Sequence, residues 1–157
     1  MRLEYFQLID RIVDLSLGDR TISAEATVPT TSTIFEGHFP GYPLMPGVLL
    51  IEAMAQTSGW LVVAANRFER MAFLANVKEA KFRTFVVPGQ VLSITARLMH
   101  EGSGYAVTEA SVTTDGKPVC DAALTLRLLN FPNAELQQHM RETAARVGFP
   151  NEAPINA

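Results

Sequence analysis

Residues 37–56, Gly-His-Phe-Pro-Gly-Tyr-Pro-Leu-Met-Pro-Gly-Val-Leu-Leu-Ile-Glu-Ala-Met-Ala-Gln, read as a stiff loop running straight into an apolar helix. Three prolines and three glycines among the eleven residues from Gly37 to Gly47 fix the backbone path of the loop. The run Val48 to Ala65 that follows is apolar on nearly every side, broken by Glu52 and Gln56, whose i, i+4 spacing puts them on one side of a helix. Such a helix must be surrounded, and a sheet curling round it would do so. Its 18 residues approach membrane-spanning length. A carboxylate near the middle would cost roughly 2.5–3.5 kcal/mol on insertion, so the sequence predicts a core helix and no membrane insertion.

Outward from this helix the apolar pattern changes to period two. On the N-terminal side, Phe6 to Leu15 and Thr21 to Val28 alternate around the turn signal Gly18-Asp19, a predicted β-hairpin, and Pro29 to Pro46 is predicted as rigid loop. On the C-terminal side, strands are predicted over Met71 to Val77, Ala80 to Val87, Val91 to His100, Tyr105 to Thr113 and Val119 to Leu129. Pro88-Gly89, Glu101-Gly102-Ser103-Gly104 and Asp115-Gly116 supply turns between them. A hairpin, a helix and a meander imply an α+β fold with one antiparallel sheet and one central helix, residues 1–130. Asn133 to Val147 reads as a separate polar helix, and Gly148 to Ala157 as a fraying end, so 131–157 is expected to be a C-terminal helix with a flexible tail.

The 157 residues suit one domain, and 48% apolar with 18% charged residues argue against disorder. A net charge of −3 makes nucleic acid a poor partner. Cation density is nevertheless uneven: Arg67, Arg70, Lys78, Lys81 and Arg83 stand against Glu69 and Glu79 between Asn66 and Gln90, either a solvated face or a docking surface for an acidic partner. Cys120 is alone, so it forms no intrachain disulfide or cysteine metal site, and a reducing compartment fits. Met1-Arg2-Leu3-Glu4-Tyr5 has no signal-peptide pattern, which points to the cytoplasm.

Glu52 is the residue hardest to treat as structural, because a carboxylate buried in Val-Leu-Leu-Ile-Glu-Ala-Met-Ala without a partner is strongly unfavourable. Neutralisation by an arginine or by protonation is the structural reading. A meeting with His38 in one apolar cavity is the chemical one, since the two are natural acid–base partners. His100 and His139 fall at a strand end and on the polar terminal helix, and no histidine pair has zinc-ligand spacing, so no metal is expected. Gly102-Ser103-Gly104 lies between strands and reads as a hairpin, not a phosphate cradle.

Gly37-His38-Phe39-Pro40-Gly41, Pro43, Met45-Pro46-Gly47-Val48 and Glu52-Ala53-Met54-Ala55-Gln56, with Lys81-Phe82-Arg83 and Val87-Pro88-Gly89 downstream, resemble the signature of FabZ-type (3R)-hydroxyacyl-acyl carrier protein dehydratases. The resemblance covers roughly Gln7 to Leu129 and implies the hot-dog fold, in which an antiparallel sheet wraps a long helix. It also implies elimination of water from a β-hydroxyacyl thioester to a trans-2-enoyl thioester. His38 would remove the α-proton and Glu52 would protonate the departing hydroxyl. The amides of Gly47 and Val48 would receive the thioester carbonyl at the positive end of the helix. The Leu44 carbonyl would fix the His38 tautomer, Gln56 would orient Glu52, and Phe73 would line the acyl tunnel or serve as plain core.

The resemblance further implies a homodimer with histidine and acid from different subunits, possible hexamers of three dimers, and no cofactor beyond the phosphopantetheine arm of the carrier. Lys78, Lys81 and Arg83 become the docking surface for the acidic carrier protein. The family usually has a short helix and a Pro-His-Arg segment before the first strand, whereas this chain is expected to enter the strand almost at once, which would alter substrate entry or docking. Ala75-Asn76-Val77-Lys78-Glu79-Ala80 replaces the usual Gly-Ile-Asp-Lys-Val, and the helix from Asn133 extends past the usual end, changes that point to a paralogue with its own acyl chain length. A hot-dog acyl thioesterase and a non-catalytic acyl-carrier-binding paralogue are the alternatives.

Overall fold

A computed structural model describes residues 1–150. Its elements are a 3-10 turn η1 (Leu3–Tyr5), β1 (Arg11–Ser16), β2 (Thr21–Thr27), α1 (Thr33–Gly37), α2 (Gly47–Ala65), β3 (Arg70–Phe82), β4 (Val91–Gly102), β5 (Tyr105–Thr114), β6 (Lys117–Asn130) and α3 (Ala134–Arg146). The strands form one six-stranded sheet in the order β1-β2-β4-β5-β6-β3, every neighbouring pair antiparallel. The connection through α2 therefore carries the chain from β2 across the sheet to its far edge. The result is the α+β hot-dog arrangement expected from the sequence.

The alternation that identified the strands is visible as burial. Leu92, Ile94, Ala96 and Leu98 of β4 are buried, and Ala106, Thr108, Ala110 and Val112 of β5 face the same layer. α2 packs across this face against β2 to β6. By length and composition α2 could cross a membrane, but 67% of its apolar window is buried inside the protein, which is how a core helix behaves. The helix's own polar groups are satisfied: Thr57 Oγ1 donates to Ala53 O at 2.9 Å, and Thr108 Oγ1 donates to Ser58 Oγ at 2.8 Å. Among the described residues no buried side-chain nitrogen or oxygen lacks a partner.

Four local expectations are corrected. The first strand does not begin at Phe6: η1 comes first, Phe6 turns in the left-handed region at φ 52°, and β1 starts at Arg11. The segment Pro29 to Pro46 is not loop throughout, because Ser32 caps Ile34 N with its hydroxyl and α1 runs from Thr33 to Gly37. The two strands predicted on either side of Glu79 are one strand, β3, whose phase slips at a bulge where Glu79 takes φ 54°. The C-terminal helix is not separate. Ala144 and Val147 are buried, Phe149 packs on Trp60 and Phe68 with centroids 5.9 and 5.1 Å away, and Ile12 N donates to Val147 O at 2.7 Å. The fraying expected of the last residues falls largely on 151–157, outside the described residues.

Candidate active site

His38 is presented by the end of α1. Its backbone N–H closes the helix on Ile34 O at 2.9 Å, and the chain then turns through Phe39 at φ 63° and Gly41 at φ 78°. A phenylalanine in that region is held there by its surroundings. Here the constraints are Tyr42 N to Phe39 O at 2.8 Å and Met45 N to Val86 O at 2.8 Å, which staple the loop to itself and to the chain beyond β3. The loop returns so that Leu44 O sits 2.8 Å from His38 Nδ1. A carbonyl can only accept, so Nδ1 carries the proton and Nε2 of a neutral ring holds the free lone pair. His38 is half-buried and lines a cavity of about 280 Å³ together with Leu44, Gly47, Phe82 and Arg83.

That cavity also receives the N-terminus of α2. Pro46 is the N-cap and Leu49 N bonds back to Pro46 O at 3.0 Å, while the Gly47 and Val48 amides occupy helix positions with no intrahelical acceptor. The approach at Gly47 is close: a Cβ there would lie 3.0 Å from the Phe82 ring, so that ring would have to shift by a few tenths of an ångström to admit one. Val48, next to Gly47 on α2, is 72% exposed.

Glu52 stands one and a half turns further along α2, half-buried, and Gln56 Nε2 donates to its Oε1 at 3.1 Å. The same Nε2 donates to Phe6 O at 2.7 Å, and Gln56 Oε1 accepts from Leu8 N at 3.2 Å. Glu52 lines a second cavity, about 510 Å³, with Phe6, Gln56, Trp60 and the 43%-exposed Phe73. No arginine pairs with Glu52 among the described residues. His38 and Glu52 thus line different cavities of the chain, and the structure does not bring them together in one.

The six-stranded sheet ends at β3, one side of which is unpaired, and its exposed Phe73 and Leu74 lie beside the Glu52 cavity. The three cations expected at a docking surface, Lys78, Lys81 and Arg83, differ in their surroundings. Arg83 is ion-paired with Asp121, and Lys81 lies opposite the same Asp121 in register. Lys78 has no salt-bridge partner among the described residues. No cluster of His, Cys, Asp and Glu with metal-site proximity occurs among the described residues. Cys120 is buried, and that burial pushes its thiol up to about 11, away from nucleophilic use.

The FabA-like domain matches residues 2–123. The chain belongs to the FabA-like family. Among its relatives, the 3-hydroxyacyl-[acyl-carrier-protein] dehydratase FabZ of Latilactobacillus sakei is 41% identical over 119 residues, covering 75% of this chain and 84% of that protein. The protein of the same name from Francisella tularensis subsp. novicida is 38% identical over 131 residues, covering 76% and 80%. In fold, this FabA-like chain is similar to a dehydratase heterocomplex of Xenorhabdus doucetiae, at TM-score 0.65 and 19% identity over 86% of this chain and 90% of that one. It is also similar to a hypothetical thioesterase of Streptococcus pneumoniae bound to coenzyme A, at TM-score 0.60 and 18% identity over 78% and 88%.

The sequence reading missed how the N-terminus braces this FabA-like site. Glu4 Oε1 accepts from Ser32 Oγ at 2.6 Å and Thr33 N at 3.1 Å, tying η1 to the helix that carries His38, while Phe6 and Leu8 hold Gln56. A lone exposed glutamate early in the chain gives no pattern by which to find such a link.

Proposed function

We propose that this protein is a hydro-lyase that dehydrates (3R)-hydroxyacyl-acyl carrier protein to the trans-2-enoyl thioester, with His38 as base and Glu52 as acid. The observation that carries the mechanism is the His38–Leu44 contact. By holding the proton on Nδ1 it leaves Nε2 ready to take the substrate's α-proton. Sharing of that cavity with the start of α2 supports the next step. As the Cα–H bond breaks, charge moves onto the thioester oxygen, where the free Gly47 and Val48 amides and the helix dipole stabilise it. The electron pair then expels the β-hydroxyl, which leaves as water after taking a proton from Glu52, held in place by Gln56.

Base and acid must act on adjacent carbons of one substrate, yet they border separate cavities of one protomer. The reading is therefore a homodimer in which His38 of one subunit faces Glu52 of the other. The unpaired side of β3, with exposed Phe73 and Leu74, and the exposed Val48 support pairing of this kind. Assembly of three such dimers into a hexamer is compatible with it. Lys78 and Lys81 are the more available cations for docking an acidic carrier, Arg83 being ion-paired with Asp121. The substrate arrives on the phosphopantetheine arm of the carrier, no cofactor is required, and the reaction takes place in the cytoplasm.

The decisive assay is incubation of the protein with a β-hydroxyacyl carrier protein while following enoyl absorbance. Enoyl product that disappears in His38→Ala and Glu52→Gln supports the reading. Release of free carrier thiol without enoyl product would replace it with a thioesterase, and tight carrier binding without turnover would replace it with a binding paralogue.

A further inference from the structure

We infer that α3 is the wall that limits how long an acyl chain the site accepts, an inference that rests on the dehydratase reading. The helix lies beyond residue 123, where the FabA-like match ends. The cavity beside Glu52 follows one face of α2 through Ala55, Gln56, Gly59, Trp60 and Val63, and α3 contributes Met140 and Thr143 to its lining, with Val147 just past its end. Burial of an acyl chain along this largely apolar lining is favourable, and a proton donor stands at its start.

Gly59 marks open room in that wall. Glycine is disfavoured in a helix interior, yet here a Cβ would meet nothing within 4 Å. Trp60, next along, stands roughly 12 Å of helix rise beyond Glu52, and at that point α3 is firmly anchored. Phe149 packs on Trp60 and Phe68, Gln137 Nε2 donates to Phe68 O at 3.0 Å, and Arg141 lies over the Phe68 ring at 4.8 Å. Past the half-buried Met140 the cavity is bordered by exposed His139 and Arg146. A chain that outgrows the chamber must push its methyl end against Met140 or out towards water and a cation, and its further methylenes gain no burial.

The test is turnover of a ladder of hydroxyacyl carrier substrates by the full chain and by the Gly59→Leu and Met140→Ala variants, scored as the ratio of long-chain to short-chain kcat/KM so that partial loss of folded enzyme cancels. Filling the chamber with Gly59→Leu is expected to lower that ratio by roughly tenfold or more, the usual scale for a pocket that excludes a methylene. Met140→Ala is expected to raise it and to move the longest accepted chain upward. An active enzyme whose length profile neither substitution moves would overturn the inference while leaving the dehydratase reading intact. An unmodified chain inactive at every length would bring down the dehydratase reading and this inference with it.

Discussion

Gln56 Nε2 lies 3.1 Å from Glu52 Oε1 and 2.7 Å from Phe6 O, so one side-chain amide holds both the proposed acid and the N-terminal segment. Because Gln56 Oε1 also accepts from Leu8 N, Gln56→Ala would leave two backbone groups without partners. The Phe6 bond is exposed and the Leu8 bond part-buried, so a loss of about 0.5–1.5 kcal/mol per bond is expected. The freed carboxylate should reduce kcat more than it raises KM. Chemical denaturation and steady-state kinetics on the same preparation check both, and an unchanged kcat would show that Glu52 needs no such brace.

The separation of His38 and Glu52 into two cavities of one protomer predicts complementation between inactive variants. His38→Ala and Glu52→Gln should each lower the rate by ~10²–10⁴-fold, the usual worth of a general acid or base. Co-refolding the two should regain part of the wild-type rate, since in the proposed homodimer a mixed pair has one site with both groups intact. Mixed dimers that form but stay inactive would contradict a shared site.

Charge reversal at Lys78 is expected to raise KM for the carrier-bound substrate several-fold with little change in kcat, and to flatten the salt dependence of KM. Arg83→Ala should behave differently, because it also strips Asp121 of its partner and exposes a competing negative charge. Identical salt profiles for wild type and Lys78→Glu would remove Lys78 from the docking surface.

Glu4 gives a pH prediction. The Ser32 hydroxyl bond foremost, followed by backbone amide bonds, holds its carboxyl below the ordinary value of 4.5. A lowered value in the fold means the unfolded chain takes up the proton more readily. The stabilisation is therefore present above about pH 4.5 and is lost as pH falls through the lower folded value. Glu4→Gln should be less stable than wild type at neutral pH, and the gap should close in acid. Denaturation midpoints at the two extremes measure it, and a gap independent of pH would assign the effect to packing.

Much of this architecture is legible in the sequence because two signals there are physical and long. The run Val48 to Ala65 can be buried only as a helix inside a sheet, and the alternation in β4, β5 and β6 translates directly into one buried face. Glu79 shows where this reasoning stops. A bulge and a turn both break period two, and a residue at φ 54° inside one continuous strand looks, in sequence, like a boundary between two. The helix Thr33–Gly37 is hidden by similar means, since its five residues lie beside a Gly/Pro-dense stretch and are held by the Ser32 cap and by Glu4 far away in the chain. For the site, His38, Glu52 and Gln56 stand out by type and spacing. That the first two open onto different cavities is a property of chain path, which no local pattern encodes.

Trp60 is the chain's single tryptophan, and its indole sits against Phe149 just past α3. The protein consequently carries an intrinsic fluorophore at the very joint between its terminal helix and the rest. Detachment of that helix would hydrate the indole and red-shift its emission while the β-sheet circular dichroism persisted, making a partial opening observable without any label.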